Sequence, residues 1–320
     1  MASKLEIPMI NLSDGYLMPG IGIGRVVLVW GTSELIYCED AGWANQVATK
    51  KHIDTAAYYG NEGAVGEAIR ESGVHRPSIF VTTKLPGSGH GNVMEAFNKS
   101  LTALGLDYID LYLMHWPMAN DPQTGRALKP EENPTFVETW KTMEGLLETG
   151  KVKSIGVSNF SIKNLEILFS KTNLIPSVNQ IEIHPCLPNF ELVEYCKQKG
   201  IAVTGYTPMG RPGAPFYTDP LFLSIAQEHN ITVGQVLLAW QVQRGIAPLP
   251  KSSNEERSKQ NITLTKLSDR AMSQINEFHK QPGMHRTLCF ANSVKNGGVF
   301  GWTFEELGWD LDERGYGLPK

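Results

Sequence analysis

The chain has 320 residues, 41% hydrophobic and 19% charged, the balance of a globular protein and not of a disordered one. Its net charge of −4, with no block of lysine or arginine, argues against nucleic acid or a membrane surface as partner, because binding phosphates needs a concentrated positive face. No apolar signal region follows Met1, and runs such as Val26 to Trp30 are far shorter than the roughly 20 residues of a membrane span, so a cytoplasmic protein is expected.

Along the chain, "IPMINLSDGYLMP" reads as a hairpin turning at Asp14-Gly15, which assigns residues 1–17 to an N-terminal hairpin. Short apolar runs predict strands near 18–24, 51–54, 78–84, 108–114, 152–157, 177–182, 201–206 and 246–249. Amphipathic helices lie between them. From Asn92 to Leu104, the residues Val93, Phe97, Leu101 and Leu104 share one face; from Pro134 to Thr149, the residues Phe136, Trp140, Met143 and Leu147 do so. Gly150, Gly200 and Gly245 each stop a helix and open a strand. The tail after Gln281 lacks helical periodicity until about Thr303 and is expected to fold over one end of the domain. The four cysteines, Cys38, Cys186, Cys196 and Cys289, have no metal-like spacing and suit free thiols in a reducing compartment.

Eight strands alternating with helices predict a closed α/β barrel of the (β/α)8 type, one domain over 1–320 with residues 281–320 as a C-terminal extension. An open doubly wound sheet would give a similar pattern. However, "GIGIG" at 20–24 has the wrong spacing for a dinucleotide fingerprint and no clear helix follows it.

A barrel gathers the C-terminal ends of its strands on one face. Asp54, Lys84 and His115 end neighbouring strands, each about one βα unit from the next, and are expected at one level with Tyr58 and Tyr59 beside them. Each has an ordinary structural reading when taken singly: an ion pair, a core histidine, a packing tyrosine. Together they can polarise a carbonyl and deliver a proton to its developing alkoxide, with Lys84 lowering a tyrosine pKa and Asp54 holding Lys84. None can donate a hydride, so a cofactor is required.

The ordered motifs "HIDTAAYYGNE", "VTTKL", "LYLMHWP", "GVSNF", "NQIEIHP" and "PLPKSSNEERSKQN" resemble the aldo-keto reductases from about residue 52 to 265. The tail "VFGWTFEELGW" is similar to that of fungal members acting on glyceraldehyde, glycerol or aldoses. The resemblance implies a (β/α)8 barrel that binds NADPH without a Rossmann fingerprint and reduces aldehydes and ketones. It makes Tyr59 the proton donor, with Lys84, Asp54 and His115 as its catalytic partners, and leaves Tyr58 at a variable position. His115 and Trp116 would bind substrate. For the cofactor it implies Ser158, Asn159 and Gln180 at the nicotinamide carboxamide, Tyr206 stacked on the ring, and Thr207, Met209 and Gly210 toward the diphosphate. Lys251, Ser252, Ser253, Asn254, Arg257 and Asn261 would hold the adenosine 2′-phosphate end, a donor set that favours NADP+ over NAD. No metal is implied, and the partner is a small carbonyl or polyol substrate of an enzyme expected to be a monomer.

Residues 25–51 depart from the family pattern: Arg25 and Val26 stand where Thr-Trp is usual, and no clear helix follows. Either the first βα unit is rebuilt, or the stretch is foreign to the family and impairs it. Three readings follow: an NADPH-dependent reductase of small aldehydes, the same enzyme working as a polyol dehydrogenase, or a non-catalytic NADPH-binding relative.

Overall fold

The computed structural model describes residues 3–24, 51–252, 254–290 and 298–318. The unusual stretch at 25–50 and the expected ligand Ser253 lie outside the described residues. The chain opens with an antiparallel hairpin, β1 (Met9–Asn11) and β2 (Leu17–Pro19). At its turn the Leu12 N–H donates to Tyr16 O and Gly15 adopts φ +89°.

Eight parallel strands follow in sequential order: β3 (Ile23–Gly24), β4 (His52–Asp54), β5 (Phe80–Leu85), β6 (Ile109–Met114), β7 (Val152–Ser158), β8 (Val178–Glu182), β9 (Ala202–Tyr206) and β10 (Ala247–Pro248). The ring closes where the Gly22 N–H donates to Pro248 O at 3.1 Å and the Gly24 N–H to Pro250 O at 3.2 Å. Glycine is needed at this seam, because a Cβ on Gly24 would stand 2.6 Å from Leu249 O. The single strand expected over 18–24 is in fact two. The chain turns at Gly20, whose N–H donates to Pro8 O at 2.8 Å, so Leu17–Pro19 stays in the hairpin and only Ile23–Gly24 joins the barrel.

The helices pack outside. They are α1 (Glu62–Glu71), α2 (Val93–Leu104), α3 (Phe136–Glu144), α4 (Ile162–Phe169), α5 (Phe190–Gln198), α6 (Pro220–His229), α7 (Val233–Gln243), α8 (Glu255–Gln260), α9 (Asp269–Glu277) and α10 (Phe304–Leu307). α2 starts where Asn92 accepts from the Glu95 N–H, and α3 starts on a reciprocal cap between Thr135 and Glu138. The helix expected over 134–149 is interrupted after Glu144 and resumes as a single tight turn at Leu147–Thr149. Gly150, Gly200 and Gly245 all sit at left-handed φ, +68°, +74° and +76°, as helix stops do.

Alternation along the strands divides the core in two. Ile53, Val81, Tyr112 and Val157 face out and join Val65, Phe97 and Trp140 of the helices in one large cluster. Phe80, Leu111, Leu113 and Val178 face in and pack with Leu12 and Met18 of the hairpin. The hairpin thus plugs one mouth of the barrel and leaves the opposite mouth, at the strands' C-terminal ends, for chemistry. None of the described helices is long and apolar enough to cross a membrane.

Candidate active site

Asp54, Lys84, Ser158, Gln180, Glu182 and Tyr206 all occupy inward-facing positions at the C-terminal ends of their strands. Lys84 is fully buried, an arrangement that demands a partner because an isolated ammonium in the interior is very costly. It has two: Asp54 Oδ1 at 2.6 Å and the Thr55 carbonyl at 2.7 Å. The other oxygen of Asp54 accepts from Gln180 Nε2 at 2.7 Å.

These groups do not lie at one level as the sequence suggested. Asp54 pairs with Thr82 and Lys84 with Leu113, so each strand is displaced by two residues against its neighbour. Tilted strands of a closed barrel impose this stagger, and the long lysine side chain spans it.

Tyr59 follows β4 in a short turn over Ala57–Tyr59. Thr55 steadies the turn by donating to Asn61 at 2.7 Å. The Tyr59 ring meets His115 edge-on at 5.5 Å and lies 5.2 Å from the Lys84 ammonium. Its phenol is pushed well above the usual tyrosine range by burial, with the negative charge of Asp54 adding to the effect. This reverses the expected lowering. Loss of water on burial is the largest cause, and the nearby Asp54 and Cys289 act in the same direction. Burial, with Lys84 nearby, holds His115 well below the usual histidine range, so its imidazole is neutral at physiological pH. Tyr58 is 60% exposed and edges His115 and Phe300 at 6.2 and 5.9 Å, at the mouth of the site. Trp116 forms the wall beside His115 and carries Phe290, Phe300 and Trp309 of the C-terminal segment at 5.5, 5.1 and 5.9 Å.

The residues expected around a nicotinamide form a connected set. Tyr206 donates to Asn159 Oδ1 at 2.7 Å, Asn159 donates to the His115 carbonyl at 3.0 Å, and Ser158 donates to the Gln180 carbonyl at 2.9 Å. Asn159 and Thr207 take left-handed φ of +67° and +53°, uncommon for residues other than glycine. Thr207 contacts Cys289 at 3.1 Å, and Met209 and Gly210 continue the loop toward the outside. At the far end, Asn254 caps α8 by accepting from the Arg257 N–H at 2.9 Å, and Ser252 braces Asn254. Lys251 and Arg257 are exposed and join no carboxylate among the described residues. The Nδ2 of Asn261 is buried without a hydrogen-bond partner among them. Two free cations beside an orphaned buried donor suit a phosphorylated nucleotide.

Sequence reasoning missed Glu182. Its buried carboxylate binds His184 at 2.8 Å and three donors of the segment Thr287–Cys289. The alternation Gln180, Glu182, His184 in "NQIEIHP" was the available signal, since three polar side chains on one inward face are unusual.

A family model described as the Aldo/keto reductase family matches residues 47–280. The glycerol 2-dehydrogenase (NADP(+)) of Saccharomyces cerevisiae is 43% identical over 88% of this chain and 93% of its own length. Aldehyde reductase YPR1 of the same organism is 39% identical over 87% of this chain and 93% of its own. Among solved structures, an aldo-keto reductase of Bombyx mori in complex with NADP superposes with a TM-score of 0.76 at 37% identity, covering 86% of this chain and 93% of that one. The aldose reductase of Schistosoma japonicum gives a TM-score of 0.79 at 31% identity, covering 94% and 99%.

Proposed function

This chain belongs to the aldo-keto reductase family, and from that premise we propose that it reduces small aldehydes, ketones and aldoses to alcohols with NADPH, using Tyr59 as proton donor. The observation that carries the reading is the convergence of Tyr59, neutral His115 and the buried Lys84–Asp54 pair at the open mouth of the barrel. NADPH, when bound, supplies the hydride. Ser158, Asn159 and Gln180 would hold its carboxamide, Tyr206 its ring, Thr207, Met209 and Gly210 its diphosphate, and Lys251, Ser252, Asn254, Arg257 and Asn261 its adenosine 2′-phosphate end. His115 offers a neutral N–H to the substrate carbonyl and orients it, while Trp116 excludes water. Tyr59 stays protonated in the resting site, as a donor must, and passes its proton to the oxygen as negative charge develops there. We also propose that the whole chain acts as one barrel unit, in the cytoplasm and as a monomer; the free cysteines Cys186, Cys196 and Cys289 suit a reducing compartment.

The test is Tyr59→Phe. Carbonyl reduction, followed by loss of nicotinamide absorbance with glyceraldehyde, should disappear while NADPH still binds; full turnover would remove Tyr59 from the mechanism. Tyr58→Phe should keep activity within a few fold.

A second reading, oxidation of a polyol, is favoured by the yeast glycerol 2-dehydrogenase relative. Oxidation needs Tyr59 as phenolate. With its pKa raised, that form is scarce at neutral pH and grows as pH climbs. Because oxidation releases a proton and reduction consumes one, the ratio of oxidative to reductive kcat/KM rises with pH by mass action, and its value at pH 7 separates the two readings. A ratio above one at pH 7 would make the polyol the substrate.

A further inference from the structure

The C-terminal segment supplies Phe290 to the pocket wall, yet it comes from more than a hundred residues beyond the strand on which it rests. A single carboxylate gathers three of its donors. Glu182 Oε2 accepts from the Thr287 hydroxyl at 2.6 Å, and Glu182 Oε1 from the Leu288 and Cys289 N–H groups at 2.8 and 3.1 Å. Thr287 itself accepts from the Cys289 and Phe290 N–H groups at 3.2 and 3.1 Å, which folds the segment into a tight turn around the carboxylate. His184 Nε2 approaches Glu182 Oε1 at 2.8 Å from the same strand end.

The chemistry of this contact is specific. Glu182 is only 3% exposed, and a buried carboxylate must be met by donors. A carboxylate is acceptor-only at both oxygens, so it can serve the hydroxyl on one side and two backbone N–H groups on the other. An amide of the same shape would turn a donor toward one of those donors. The segment has other ties as well: Arg286 N–H to Cys186 O at 3.0 Å, Thr287 N–H to Gly315 O at 2.9 Å, and Cys289 against Thr207 at 3.1 Å.

We propose that Glu182 is a positioning residue of the substrate pocket: its buried carboxylate docks Thr287–Cys289 on the barrel rim and thereby sets Phe290 against Trp116. The inference rests on the reductase reading for its kinetic consequence. It extends that reading by naming the residue through which the tail shapes substrate choice. Gln180 and Glu182 share the inward face of β8, one holding Asp54 and the other the tail, so one strand carries both the catalytic carboxylate's brace and the pocket wall's anchor.

Two variants test it, Glu182→Gln and Thr287→Val, the second removing the hydroxyl donor while leaving Glu182 in place. The first readout is trypsin cleavage after Arg286 in the intact protein, which should become roughly tenfold faster in Glu182→Gln and accelerate less in Thr287→Val, because cleavage tracks the opened fraction. The second is kinetic. KM for a large aromatic aldehyde such as 4-nitrobenzaldehyde should rise roughly tenfold, while kcat for glyceraldehyde and the Kd of NADPH stay close to those of the parent. Unchanged proteolysis in both variants would overturn the docking role. A kcat loss shared equally by both aldehydes, with KM retained, would overturn the pocket role. If Glu182→Gln fails to fold, Thr287→Val decides. If the parent reduces neither aldehyde, the reductase reading fails, and the proteolysis comparison still judges the anchor.

Discussion

Replacing Asp54 by asparagine probes the central ion pair with almost no change of shape. Lys84 is fully buried 2.6 Å from Asp54, and Gln180 lies 2.7 Å from the second oxygen. Gln180 can turn its amide to meet the new side chain, so the hydrogen bonds are largely repairable. The charge is not. Lys84 must then either remain a buried, uncompensated ammonium or give up its proton. Removing one partner of a buried pair typically costs about 3–5 kcal/mol. Discharging a lysine of ordinary pKa 10.5 at pH 7 costs about 5 kcal/mol, which caps the loss near the same figure. The second route leaves a pH signature. The folded variant holds a neutral lysine while its unfolded chain holds a charged one, so the unfolded state binds more protons and stability rises with pH. Urea unfolding of parent and variant, followed by tryptophan fluorescence at pH 6.5 and 8.5, should give a difference of about 3–5 kcal/mol at the lower pH. That difference should shrink by roughly 2–3 kcal/mol at the higher pH, once the parent's own slope is subtracted. A penalty under about 1 kcal/mol at pH 6.5 would refute the reasoning, since the pair would then behave like a surface contact.

Two further outcomes follow from the same geometry. Lys251→Met or Arg257→Leu should weaken NADPH binding by at least about tenfold, as loss of a charge-assisted contact does, and leave NADH binding nearly unchanged; equal losses for both nucleotides, measured by fluorescence titration, would move these residues away from the 2′-phosphate. Because burial holds His115 neutral, the pH profile of reductive kcat/KM should show no inflection near 6.5; an inflection there that vanishes in His115→Gln would mean that the imidazole titrates in the working range.

Much of the site was legible because barrel strands obey two local rules. Period-two alternation tells which residues face in, and a glycine stop tells where each βα unit begins, so Asp54, Lys84 and His115 could be placed together from their spacing alone, while Gln180 came only with the family resemblance. What was not legible depends on three-dimensional distance. The stagger between Asp54 and Lys84 comes from strand tilt, which no single strand encodes. The raised pKa of Tyr59 comes from burial, with the negative charge of Asp54 and the nearby Cys289 adding to it, and the sequence supplies the groups but not their separations. The hold of Glu182 on Thr287 spans 105 residues, beyond any local pattern. The split of 18–24 was hidden by Gly20, which reads equally well as part of a strand or as a turn. Of the departure at 25–51, residues 25–50 lie outside the described residues.

The reversed shift at Tyr59 changes how Lys84 contributes to reduction. A lysine that acidified the resting tyrosine would lower the barrier partly by weakening the O–H bond before substrate arrives. Here the resting phenol is harder to ionise than free tyrosine, and the Lys84 charge is balanced by Asp54. The favourable term therefore appears later. As the proton leaves, negative charge grows on Tyr59, whose ring lies 5.2 Å from the Lys84 ammonium, and the attraction strengthens along the reaction path. An interaction that is weak in the ground state and strong in the transition state is the kind that raises kcat rather than lowering KM. Asp54, close enough to oppose the phenolate, keeps that species high in energy.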